Sequence, residues 1–266
     1  MIRTKKWMHY TLITLIVLTL TGCGMPSSNE PANKSTKVVK ENQTQSNANL
    51  NESIKFSTKT LVENQDQITI NLKIPVISGM KNENAQTKWN NQWEKAQTDL
   101  KRQMTKDAAD YYEEAKVNEF TPNQYNVTSE YKVIYNKNDL LSLTTTVYTY
   151  CGGAHGSTEQ TAYNIDLETG KEISLKDLFQ DGKDYKKFIN TIISQKIAET
   201  PDDYFSGEEG FQGVSDKQPY YIVDDGIVIY FGLYEIACYA AGIREFKIPT
   251  TQIKDYLKPE FRNKLV

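Results

Sequence analysis

The stretch ENAQTKWNNQWEKAQTDLKRQMTKDAADYYEEAKVN, Glu83 to Asn118, holds neither glycine nor proline. Its apolar residues Trp89, Trp93, Ala96, Leu100, Met104 and Ala108 recur every three or four positions. That is the period of a helix with one apolar face. The stretch predicts a single long amphipathic helix laid on a sheet, with both tryptophans as core anchors rather than a ligand platform.

On either side of the helix the period falls to two. IKFSTKTLVEN (Ile54–Asn64) and QITINLKIPVISG (Gln67–Gly79) alternate in character around polar residues and predict a hairpin. QYNVTSEYKVIYNKNDLLSLTTTVYTY (Gln124–Tyr150) predicts two more strands around the turn Asn136–Asp139. TEQTAYNIDLETGKEISL (Thr158–Leu175) reads as two shorter strands around a turn at Gly170. KDYKKFINTIISQKIAE (Lys183–Glu199) reads as a second helix with Phe188, Ile192, Ile193 and Ile197 inward, followed by a polar connection from Pro201 to Gln218. PYYIVDDGIVIYFGLYEI (Pro219–Ile236) turns at Asp225–Gly226, and REFKIPT (Arg244–Thr250) precedes a closing helix near Thr251–Leu257. Strands outnumber helices and are mostly joined as hairpins. The expected fold class is therefore α+β, with antiparallel sheets, one long helix in a first domain (54–150) and one or two helices in a second (151–266).

The N-terminus names a compartment. Arg3, Lys5 and Lys6 precede the apolar run Leu12–Leu20, which reads as a secretory signal rather than a membrane span. LTGC (Leu20–Cys23) matches a bacterial lipobox, so residues 1–22 are expected to be removed and Cys23 to carry the lipid. More than one acyl chain would anchor the protein stably, placing the remainder outside the cytoplasm. Residues 23–53 are rich in Asn, Ser, Thr, Gln and Lys and read as a flexible tether. The whole chain has 31 Lys and Arg against 34 Asp and Glu; the signal holds three of the basic residues and no acidic one, leaving 28 against 34 and a net charge of −6. No basic run with interleaved aromatics supports nucleic-acid binding, and an acidic surface favours a basic partner.

The segment TYCGGAHGSTEQ (Thr149–Gln160) raises the question of chemistry, because it sets Cys151 beside His155, the one histidine left after signal removal. A catalytic zinc takes three protein ligands, commonly including histidines, and neither H-E-x-x-H nor C-x-x-C occurs, so no metal or cofactor is expected. A Cys-His nucleophile needs a thiolate beside the imidazole. Against it, Cys151 and Cys238 are an even pair in an oxidising compartment, and a disulfide between them is the favoured reading. The acidic clusters at Asp202–Asp203, Glu208–Glu209 and Asp224–Asp225 lie in connections. They leave a paired general acid and base as a residual alternative.

YCGGAHGSTEQTAYNIDLETGKEISLKDLF (Tyr150–Phe179), with GIVIYFGLYEIACYAAGIREFKIP (Gly226–Pro249) downstream, resembles the RsiV-type C-terminal extracytoplasmic domain. The region before it resembles the companion module that precedes the catalytic part of PdaC polysaccharide deacetylases. The resemblance implies an anchored extracytoplasmic binding protein that is not an enzyme. Its ligand would be a protein such as lysozyme, taken as decoy or stress sensor; peptidoglycan recognition and a wall hydrolase or deacetylase-related enzyme are the alternatives. A lipobox stands where the anti-sigma members have a transmembrane helix, so sigma-factor inhibition is not expected. Members of the family mostly lack both cysteines. Their joint appearance supports the disulfide and would set strand 140–150 beside strand 227–238. Gly152, Gly153, Ala154 and His155 form the signature turn, and Tyr230, Tyr234, Glu235 and Tyr239 lie on the facing signature; these are the candidate ligand residues. The competing structural reading makes the glycines a tight bend, His155 a brace and the tyrosines half-buried cross-strand partners.

Overall fold

The computed structural model describes residues 38–41 and 54–265. The expected signal peptide and the lipidated Cys23 lie outside these residues. No helix of the described residues is long and apolar enough to cross a membrane.

The long helix forms as its period predicts. α1 spans Glu83–Val117, starting where the Asn82 side chain accepts the Ala85 N–H at 3.0 Å. It buries Ala85, Trp89, Trp93, Gln97, Met104, Ala108 and Ala115 along one face. The tryptophans are core residues: Trp89 is 1% exposed and its indole N–H donates to the Gly170 carbonyl at 3.0 Å, while Trp93 is 2% exposed.

β2 (Lys55–Asn64) and β3 (Ile68–Ser78) form the expected antiparallel hairpin. α1 then carries the chain back across the sheet, so β4 (Tyr125–Lys137) pairs parallel to β3, with Ile68 opposite Tyr125. The sheet is thus mixed rather than purely antiparallel, because a helix of this length is the crossover that a parallel neighbour needs. β4 turns through Asn138 and Asp139, at φ 55° and 56°, into β5 (Leu140–Tyr150). These residue types tolerate the left-handed backbone of a two-residue hairpin. β5 pairs along its length with β6 (Ser157–Asp166), so residue 150 lies within a hairpin and the first sheet continues beyond it. β1 (Val38–Glu41), inside the expected tether, pairs antiparallel with β2 at Thr58–Leu61 and completes the sheet order β1-β2-β3-β4-β5-β6.

The second strand expected after Gly170 is reduced to one bridge, Ile165 to Glu172. Ile173, Leu175, Leu178 and Phe179 instead enter a second core. Around that core stand α2 (Tyr185–Glu199), the antiparallel sheet β7 (Tyr220–Val223), β8 (Gly226–Phe231) and β9 (Arg244–Pro249), and the short helices α3 (Thr250–Ile253) and α4 (Pro259–Lys264). α2 buries Tyr185, Ile189 and Ile193, with Phe188, Ile192 and Ile197 on the flank of that stripe. The β7–β8 turn falls on Asp224–Asp225, one residue earlier than expected. β8 ends at Phe231, and residues 232–243 form a loop.

A buried polar bracket ties the two sheets together. Asn164, 3% exposed, donates to the Tyr220 carbonyl at 2.8 Å and accepts from the Ser142 hydroxyl at 2.7 Å. Ser142 in turn accepts the Ile222 N–H at 2.9 Å. Each of these groups has a partner, as burial requires.

Candidate functional site

The signature turn between β5 and β6 is built from backbone that needs glycine. Gly152 and Gly153 stand at φ 88° and 92°, and the Tyr150 hydroxyl donates to the Gly153 carbonyl at 3.0 Å. Gly156 is buried, and a Cβ there would come within 2.4 Å of the Tyr148 ring. The turn therefore presents His155 outward on a fixed base.

Tyr239 meets it from the loop after β8. The His155 and Tyr239 rings stack with centroids 3.9 Å apart and planes 22° from parallel. The Tyr239 hydroxyl donates to the Gly156 carbonyl at 2.7 Å, and His155 Nδ1 donates to the same carbonyl at 2.9 Å. Tyr234 extends the aromatic row, its ring 5.7 Å from that of Tyr239. The Glu235 carboxylate accepts the Gly232 N–H at 2.7 Å.

The structure thus gathers His155, Tyr234, Glu235 and Tyr239 at one exposed corner. Gly152 and Gly153 shape the turn, with Gly152 lying toward Asn123 and Tyr111. Tyr230 differs from the rest, being 3% exposed with its hydroxyl given to the Gln160 carbonyl at 3.1 Å. Burial, reinforced by nearby tyrosine and glutamate charge, pushes its phenol well above the usual tyrosine value, although a hydrogen bond to the Ala162 backbone works the other way. Tyr230 is a clasp between β8 and β6 rather than an accessible ring.

Three neighbouring groups, Glu159, Tyr221 and Glu245, were not singled out in the sequence. Glu159 acts electrostatically on the Tyr230 phenol, as does the candidate residue Glu235, and Glu245 stands opposite Tyr230 in the β8–β9 register. Tyr221 has its phenol pushed up to about 12 by burial and by Glu245. The signal for Glu245 was alternation: β8 and β9 send Ile227, Ile229, Phe231, Phe246 and Ile248 inward, leaving Tyr230 and Glu245 for the opposite face.

The expected disulfide is corrected: Cys151 and Cys238 are both free and exposed. Strand β5 has β4 and β6 as its hydrogen-bonded neighbours, so the implied placement beside residues 227–238 does not occur either. Although Cys151 is exposed, partial desolvation against its neighbours, with Asp107 nearby, raises its thiol above the usual value, the reverse of what activates a nucleophile. His155 is engaged by Tyr239 and Gly156. Among the described residues no group of three or more His, Cys, Asp or Glu could hold a metal ion.

The class that emerges is a two-module α+β chain whose modules meet at an aromatic corner. Two family models match the chain: Deacetylase PdaC over residues 61–158, and DUF3298, a protein family of unknown function, over residues 176–251. Among curated proteins, it is 25% identical over 177 residues to the peptidoglycan-N-acetylmuramic acid deacetylase PdaC of Bacillus subtilis, covering 64% of this chain and 38% of the deacetylase. It is 26% identical over 197 residues to the anti-sigma-V factor RsiV of the same organism, covering 71% of this chain and 65% of that protein. Both relatives are thus matched over less than two thirds of their length. Among solved structures, a DUF3298-family protein of Bacteroides fragilis shares the fold with a TM-score of 0.64 at 19% identity, covering 80% of this chain and 97% of that one. A DUF3298-family protein of Pseudomonas aeruginosa gives 0.53 at 17%, covering 78% and 94%.

Proposed function

We propose that the protein is a membrane-anchored extracytoplasmic binding lipoprotein that captures a basic protein ligand such as lysozyme, as a decoy or a stress sensor, and catalyses no reaction. The observation that carries this reading is the exposed row His155–Tyr239–Tyr234, held on rigid turns where two modules meet. Aromatic rings with few rotatable bonds supply contact area at low entropic cost, which is why they dominate protein-binding surfaces. The acidic mature chain complements a basic partner, and the similarity to RsiV agrees with it. Calorimetry of the mature chain with lysozyme is the test: saturable heat that weakens with salt supports the reading, and no heat at micromolar concentrations ends it.

A second reading is peptidoglycan recognition. It is favoured by the ring of Tyr234, 58% exposed and open to stacking against a sugar, and by the similarity to a peptidoglycan deacetylase. Sedimentation with purified peptidoglycan tests it, and a chain left wholly in the supernatant counts against it.

A further inference from the structure

Arg244 occupies a position where the second sheet otherwise places apolar side chains. Phe231, Phe246 and Ile248 enter the second core, and Arg244 stands opposite Phe231 and two residues before Phe246. Alternation along β9 therefore aims Arg244 at the rim of that core. A guanidinium is always charged, and a charge drawn out of water is normally paired. Arg244 is half-buried, yet it forms no ion pair among the described residues.

Its contacts hold the guanidinium without neutralising it. It lies over the Tyr204 ring, 4.5 Å from the centroid. One terminal nitrogen donates to the Tyr204 hydroxyl and the other to the Ala241 carbonyl, the latter at 3.4 Å. Nε is buried and has no partner. Tyr204 is itself fixed, its ring 6.1 Å from that of Phe246 while the next residue, Phe205, gives its N–H to the Ile236 carbonyl at 2.9 Å. The carboxylates closest in sequence are directed elsewhere: Glu245 alternates to the opposite face of β9, and Glu235 accepts the Gly232 N–H. Of the five N–H donors of an arginine, each terminal nitrogen thus keeps one without a protein partner among the described residues. Two such donors in one plane are the fork that grips a carboxylate.

The fork belongs to the aromatic corner. The helical turn Tyr239–Ala241 begins on the ring that stacks on His155 and ends on the carbonyl that holds Arg244. Gly242 follows at φ 70°, and no atom lies within 4 Å of the place a Cβ would take there. A ligand lying across this turn can meet a ring face and a cation together.

We propose that Arg244 is the anion-recognising residue of a carbohydrate site, taking the carboxylate of an acidic amino sugar whose ring packs on the Tyr234–Tyr239 row. The proposal rests on the peptidoglycan reading above and names the group recognised. It separates two sugars of similar size: N-acetylmuramic acid carries a carboxyl-bearing lactyl ether, and N-acetylglucosamine offers the fork no charge.

The test is an NMR titration of the mature chain with each sugar, with melting temperatures recorded for every variant. Wild type is expected to bind N-acetylmuramic acid at least about tenfold more tightly than N-acetylglucosamine, with the preference shrinking as salt rises. Arg244→Gln is expected to erase the preference, and Arg244→Lys, which keeps the charge and loses the fork, to retain only part of it. Should Arg244→Gln fail to fold, Tyr204→Phe removes the hydroxyl that orients the fork and is expected to narrow the preference while keeping the ring. Equal binding of the two sugars by wild type, or a preference unchanged in the folded variants, overturns the site. Failure to bind either sugar by a chain that still sediments with peptidoglycan overturns the site and leaves the peptidoglycan reading in place. Failure in both assays overturns both. Arg244-dependent binding of muramyl dipeptide alone, whose carboxylate sits on the peptide, overturns the sugar acid as the recognised group.

Discussion

The Tyr239 hydroxyl donates to the Gly156 carbonyl at 2.7 Å while the Tyr239 ring stacks on His155 at 3.9 Å, so one side chain both closes the module junction and builds the exposed aromatic row. The two jobs are separable. Tyr239→Phe removes the hydrogen bond and keeps the ring, and is expected to cost about 1 kcal/mol of stability. Urea unfolding reads this directly, and an unchanged midpoint would mean that the bond contributes nothing.

The bracket between the sheets is expected to be more sensitive than the surface. Asn164→Ala leaves the buried Tyr220 carbonyl and Ser142 hydroxyl short of partners, and is expected to cost about 2 kcal/mol or more. Ser142→Ala strips the Ile222 N–H of its acceptor. Because the groups share one network, the double variant is expected to cost less than the two single losses added together. Additive losses would show that the network is not cooperative.

Acid is expected to act through Asp166. Burial raises its carboxyl, but the Thr169 N–H at 2.7 Å, the Thr169 hydroxyl at 2.9 Å and the Lys264 ammonium outweigh that and bring it below the usual range. A carboxyl with a depressed folded value stabilises the fold above its unfolded value, about 3.9, and that contribution fades as pH falls through the folded value. Asp166→Asn is therefore expected to melt below wild type at pH 7, with the gap closing below about pH 4. A gap that persists at pH 3 would assign the effect to something other than the carboxylate charge.

The free cysteines give a further check. With both thiols exposed and unbonded, Cys151→Ser and Cys238→Ser are each expected to change stability by no more than about 0.5 kcal/mol. A loss of several kcal/mol in both variants, abolished by reductant, would contradict the free-thiol state.

What the sequence revealed was mostly local. The helix was legible because Trp89 and Trp93 repeat at the helical period, and the hairpins because period-two runs flank polar turns. The parallel pairing of β3 with β4 was hidden, since it depends on where α1 returns the chain rather than on either strand. The segment after Gly170 carries strand-like residues, yet Ile173, Leu175, Leu178 and Phe179 are claimed by the second core. An even cysteine count contains no geometry, so it could not establish that Cys151 and Cys238 meet. At the site, the turn at Gly152–Gly153 and the choice of Tyr234 and Tyr239 as its candidate companions were readable as a signature. Their stacking, the burial that removes Tyr230 from the surface and the positive φ of Tyr234 are products of tertiary packing.

Hydrogen exchange of the mature chain with and without lysozyme tests the central claim most directly, because it reports binding and place together. The account predicts slowed exchange in residues 151–156 and 232–239, the two turns that carry His155, Tyr234 and Tyr239. Exchange unchanged by lysozyme, or slowed only elsewhere, would contradict it.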